Sequence, residues 1–313
     1  MGFALSGWEA ALLLSKLGVF VGMLASAGGV LALRGYHDGS RAGHTRLLAY
    51  SLFGAVIGLH ASVLQVLLQA GQINAAGVMG MFDLNLIFLL RGTPVWDAAA
   101  YRGVGFALSV LLVLNLLRVL THQRATPPVS FYRIALVGQS LALGLVAYGF
   151  TQLGHISVTT PLAKIALILH VAAMGGWVGM LLPLRWCCSA LSNASLAALM
   201  QRFSRLGIAL VIVLLSTGGV LLLTLVSPSE LFTTDYGQLL LLKLGLFGVL
   251  VGIAAMNKLR YVPQLLTVDR SAELPSRLAL RVSIDREIAI AVALLVLTTV
   301  VSILLGPAAH TGM

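Results

Sequence analysis

Charge is what this chain has least of. Only 10% of its 313 residues are Asp, Glu, Lys or Arg, against about 25% in a soluble domain. With 59% of residues hydrophobic, too little polar surface remains to cover a water-soluble globule, and the lipid bilayer is the solvent that suits it. Acidic residues are scarcer than basic ones, 10 against 20, for a net charge of +10. Nucleic acid is nevertheless not the expected partner, because the basic residues form no single patch. They sit in short clusters between long apolar runs, as in a membrane protein with basic cytoplasmic loops. Cysteine is nearly absent: Cys187 and Cys188 are adjacent and make no disulfide framework. The N-terminus lacks a basic n-region and its first apolar run is long enough to span and stay, so no cleavable signal peptide is expected. No low-complexity tract or short repeat stands out. A nucleophile–base pair, a phosphate loop and a carboxylate dyad are also missing, so enzymatic turnover is not expected.

What is present is a series of apolar runs. A spanning helix needs about 20 mostly apolar residues. Such runs lie near Trp8–Leu33, Leu47–Ala70, Gly103–Leu120, Ile134–Leu153, Pro161–Trp186, Leu206–Val226, Leu239–Leu259 and Ile288–Leu305. The fold class is therefore all-α, a polytopic transmembrane helix bundle of about eight spans. Residues 1–153 and 154–313 form two four-span halves of one membrane domain. Within the mixed stretch Gly71–Arg102, the segment Met79–Leu90 is too short to span. It reads as an interfacial or re-entrant helix, broken at Gly92-Thr93-Pro94. Tyr101-Arg102-Gly103 opens the third span and Tyr236-Gly237 the seventh, a faint echo between the halves.

Orientation follows from Lys and Arg. Arg34, Arg41 and Arg46 follow the first span, Arg118, Arg124 and Arg133 the third, and Arg185, Arg202 and Arg205 the fifth. Lys258, Arg260, Arg270, Arg277, Arg281 and Arg286 follow the seventh. The opposite face has only Arg91 and Arg102. Positive-inside bias puts the four basic loops in the cytoplasm and both termini outside.

Ionisable groups inside a bilayer are costly, so each is a functional candidate. His60 and His170 lie at matching depth, roughly 13–15 Å below the outer surface at 1.5 Å per residue. Two such imidazoles can meet across a helix interface, or each can simply glue helices by a hydrogen bond. On the fifth span His170, Met174 and Trp177 share one face, and Cys188 returns to the same angle unless Pro183 kinks the helix. Imidazole, thioether and thiolate suit copper, with sulfur favouring Cu(I). The alternative is packing: Met and Trp as core, Cys as small filler. His155, Met79, Met81, Asp83 and His310 face outward as a possible capture site. His37, His44 and His122 fall in cytoplasmic loops and are expected to be solvated. Lys16, Lys164 and Lys243 sit in the outer halves of spans, where they oppose a cation path unless paired; alternatively the cavity binds an anion, or Lys243 is a switch that moves on transport. Glu9, Asp83, Glu230 and Asp235 are the outer carboxylates available.

The second half resembles the copper resistance D (CopD) family of bacterial inner-membrane proteins. The resemblance is carried by Gly154-His155, the run from His170 to Pro183 with Trp177-Val-Gly, and Phe203-Ser-Arg-Leu-Gly207 leading to Ser216-Thr-Gly218. It continues with Thr234-Asp-Tyr236-Gly237, Leu240-Leu-Leu-Lys243, Asn257-Lys-Leu-Arg260 with Pro263, and Arg281 to Glu287. It implies a multi-pass inner-membrane protein that handles copper, imports it from periplasm to cytoplasm, and works beside a periplasmic copper-binding partner of the CopC type. The family-type positions carried over are His155, His170, Trp177, Tyr236, Lys243 and Glu287. Two other readings stand beside a copper transporter. One is a membrane redox protein with haem held between His60 and His170. The other is a non-transporting assembly or structural membrane protein.

Overall fold

The computed structural model describes residues 6–35, 40–122, 127–267 and 273–304. His37, Arg124, Arg270 and His310 lie outside the described residues. Among the described residues, eight helical runs are long and apolar enough to cross a membrane. They are built from α1 (Gly7–Leu33), α2 (Arg41–Asn74), α4 (Pro94–His122), α5 (Val129–Gly149), α6 (Pro161–Gly179) with α7 (Leu181–Ala190), α8 (Asn193–Leu225), α10 (Asp235–Met256) with α11 (Val262–Thr267), and α12 (Glu273–Leu304). Between α2 and α4 lie a 3-10 turn, Gly77–Phe82, and the short helix α3 (Leu84–Leu89), followed by a turn before Pro94. The short outer helix expected from sequence is thus present. A further short helix, α9 (Glu230–Thr233), precedes α10.

Local chemistry starts these helices. Ser6 and Glu9 form a capping box on α1. Ser40, Thr160, Ser192 and Thr234 each accept a backbone N–H at the start of α2, α6, α8 and α10. Pro161 occupies the first turn of α6, where its missing N–H costs nothing.

In lipid, apolar burial does not drive helices together, so association rests on close packing and hydrogen bonds. The α1–α2 contact shows both. A Cβ at Gly22 would run into the backbone of Gly58, so glycine is needed for this approach. Ser15 Oγ donates to the Ala61 carbonyl at 2.8 Å, and Ser51 Oγ to the Ser26 carbonyl at 2.6 Å. On its other sides α1 packs against α5, α6, α7 and α12. It packs against helices of both halves, as α5 does against α6. The second half adds α8 against α6, α10 against α12, and α12 against α7.

The fifth span breaks where its chemistry dictates. Pro183 has no N–H for the Gly179 carbonyl, and α6 ends at Gly179, with helical bonding resuming at Leu184 N–H to Met180. The Tyr50 hydroxyl supplies the missing donor to Gly179 at 3.4 Å. The break therefore falls at Met180, before the proline.

Several boundaries differ from the sequence expectation. α12 begins at Glu273, fifteen residues before Ile288, so Arg277, Arg281 and Arg286 are on a helix and not in a loop. Arg277 donates to the carbonyls of Cys188 and Leu191 at the end of α7, and Arg185 of α7 pairs with Asp285 of α12. These polar ties, not hydropathy, decide where α12 starts. α4 likewise begins at Pro94, so Tyr101-Arg102-Gly103 lies two turns inside the helix.

Candidate functional site

His170 and its neighbours form the best-defined polar site of the second half. His170 is half-buried on α6, and its Nδ1 lies 3.1 Å from Thr217 Oγ1 of α8. Thr217 donates its own hydroxyl proton to the Val213 carbonyl at 2.6 Å. Its oxygen is then the acceptor, so Nδ1 of His170 carries the proton and Nε2 carries the lone pair. A Cβ at Gly218 would touch the imidazole at 3.4 Å; the glycine leaves this ring uncrowded.

One turn further along α6 comes Met174, half-buried between the core of the first half and that of the second. Trp177 follows on the same face, 3% exposed, edge-on to Phe247 of α10 with ring centroids 6.1 Å apart. Lys243 lies one turn before Phe247 on α10. Tyr236, half-buried, shares that face of α10, two turns earlier. Lys243 makes no ion pair among the described residues, and neither does Lys16. The shared face of His170, Met174 and Trp177 is as the sequence spacing required.

The pairing of His60 with His170 does not form. His60 is exposed on the outside of α2, and its Nδ1 is 2.8 Å from the Val56 carbonyl of its own helix. Counting residues predicts one membrane layer for the two rings, but it does not put them on facing surfaces. A central His60–His170 metal site and a bis-histidine haem site both fall with that observation.

The outer ligand set is dispersed too. Met79 is 81% exposed, whereas Met81 is buried against Gly71 beside Trp8. Asp83 caps α3 through Asn85 and Leu86 N–H groups and takes the Asn74 amide at 2.8 Å. Both its oxygens are engaged. His155 is exposed in a short 3-10 turn, His155–Val158. Among the described residues, no three His, Cys, Asp or Glu side chains gather as metal ligands. At the far end Cys187 and Cys188 are buried, and the Cys188 thiol points to the Leu184 carbonyl at 3.6 Å.

Three buried polar groups carry more structure than their sequence positions suggested. His44 is 2% exposed, not solvated, and bridges the Ser40 carbonyl and the Tyr132 hydroxyl, each at 3.0 Å. Arg102 is the largest fully buried side chain, not an outer-loop residue. It donates to Gln65 at 2.7 Å and to the Gly149 carbonyl at 3.2 Å, and it lies 4.4 Å above the Phe150 ring. Glu287, 4% exposed, accepts from Asn257 at 3.0 Å. The signal available for Arg102 was an arginine within an apolar run on the face that positive-inside bias keeps poor in arginine.

A family model described as copper resistance protein D matches residues 197–301, which run from α8 to α12. Among curated proteins, the chain is 29% identical over 178 residues to "Inner membrane protein YebZ" of Escherichia coli (strain K12), covering 55% of this chain and 59% of the relative. It is 27% identical over 220 residues to "Copper resistance protein D" of Pseudomonas syringae pv. tomato, covering 65% of this chain and 66% of the relative. The chain thus spans about six-tenths to two-thirds of the length of these relatives. No solved structure matches. Over α8–α12 the chain is thus similar to the copper resistance D family of membrane proteins, and its eight long apolar helices suit that likeness.

Proposed function

We propose that this chain is a multi-pass inner-membrane protein that moves copper, as Cu(I), through a site on α6 made of His170 Nε2 and Met174. The observation that carries the reading is the hydrogen-bond relay from Nδ1 of His170 to Thr217 and on to Val213. It fixes the tautomer and leaves a ligating nitrogen. The thioether one turn away supplies soft character. Lys243, one turn from the Phe247 that packs on Trp177, makes a divalent ion costlier than a monovalent one by simple Coulomb repulsion, which favours Cu(I). Positive-inside bias puts the basic end in the cytoplasm. Import then runs from His170 toward the buried Cys187 and Cys188 at the basic end. A periplasmic CopC-like protein is the proposed donor.

The test is Cu(I) titration of the purified full chain against a competing chelator. Wild type should bind, and His170→Ala should lose binding at matched expression and folding. Thr217→Val should weaken it about tenfold or more, the usual cost of losing a ligand-orienting partner. Lys243→Gln should tighten it by about tenfold, since a like charge is removed. Equal copper content in wild type and His170→Ala would remove His170 from the path. No copper in any form of the protein would favour the assembly reading.

A further inference from the structure

A second polar cluster lies away from His170, where α10 gives way to α11. Asn257–Tyr261 is a π-helical turn, a rare local widening that recurs at functional positions. Asn257 opens it and is 3% exposed; its amide N–H₂ donates to Glu287 Oε1 of α12 at 3.0 Å. One turn before Glu287 on α12 is Ser283, 1% exposed. Among the described residues, two buried oxygens here have no hydrogen-bond partner: Asn257 Oδ1 and Ser283 Oγ. Buried polar atoms are almost always satisfied.

Among the described residues, the carboxyl of Glu287 also has no ion-pair partner. Asp285 on the same helix takes Arg185 of α7, so that arginine is spent. Lys258 and Arg260 of the π turn and Arg286 of α12 are exposed. Arg281 lies two residues from Ser283, on a different side of the helix. Arg277 is engaged with the α7 carbonyls. From α1, Arg34 is exposed, and Glu9 and Lys16 belong to the opposite end. One negative charge with an amide oxygen and a hydroxyl oxygen is a hard, all-oxygen donor set. It does not suit a soft ion such as Cu(I), and a single carboxylate is meagre for a divalent one.

We propose that Asn257, Ser283 and Glu287 form a binding site for a monovalent hard cation, Na⁺. A bound Na⁺ satisfies both orphan oxygens and balances the carboxylate at once. This inference does not depend on the copper reading, because neither His170 nor Met174 takes part.

The experiment is thermal unfolding of the purified full chain in detergent, titrating NaCl against choline chloride at constant ionic strength. Wild type should show a saturable rise in melting temperature of about 3 °C with Na⁺. Glu287→Gln should abolish that rise and Ser283→Ala should reduce it, while Ser283→Ala keeps wild-type Cu(I) binding. Glu287→Gln in choline should melt at or above wild type, since a neutral amide replaces a buried carboxyl. An identical melting temperature in Na⁺ and choline overturns the site. So does a Na⁺ response undiminished in Glu287→Gln. A response to pH alone assigns a proton to Glu287 and overturns the Na⁺ assignment.

Discussion

Arg102 shows how much one side chain can hold. Its guanidinium links α4 to α2 through Gln65 and to the end of α5 through the Gly149 carbonyl, under the Phe150 ring. Phe150 in turn stacks on Phe20 of α1 at 5.2 Å. Arg102→Met should therefore cost about 2–4 kcal/mol, because it strands two buried acceptors. Denaturant or thermal unfolding in detergent measures this, and a loss under about 0.5 kcal/mol would show the guanidinium to be idle. His60 and His170 show the limit of sequence at this scale. Depth follows from counting residues at a fixed rise. Azimuth does not, because a span that is apolar all round gives no polar face to orient it. Only the serine, glycine and threonine partners of each helix decide which way an imidazole turns. For His170 that partner is Thr217, 47 residues away in the chain.

At the level of elements, the eight spans were legible because each needs a long apolar run, and the structure has all eight. The stripe of His170, Met174 and Trp177 was legible for the same reason, being local to one helix. The site at Glu287 was not, because its partner Asn257 lies 30 residues away on another span. The broken fifth span offers a direct test of its cause. If Tyr50 exists to replace the donor that Pro183 removes, Tyr50→Phe should cost about 0.5–1 kcal/mol in the wild-type chain. It should cost almost nothing when Pro183→Ala returns an N–H to Gly179. A double-mutant cycle reads the difference; additive losses would mean the tyrosine acts elsewhere.

For the whole molecule, the charge pattern predicts a single topology. A phosphatase or fluorescent reporter inserted near His155 should report the outer side, and one inserted near residue 125 the cytoplasm. The reverse result would invert the direction proposed for copper. The central place of α1 has a different consequence. This helix leaves the ribosome before α6 and α12, two of the surfaces it needs. Its glycine at position 28, which must lie against the Gly179 backbone, has no such partner until α6 is made. Completion of the bundle therefore waits on the last described helix. A chain stopped after α5 should leave α1 half-clothed and open to membrane proteases, so synthesis through α12 acts as a checkpoint for assembly.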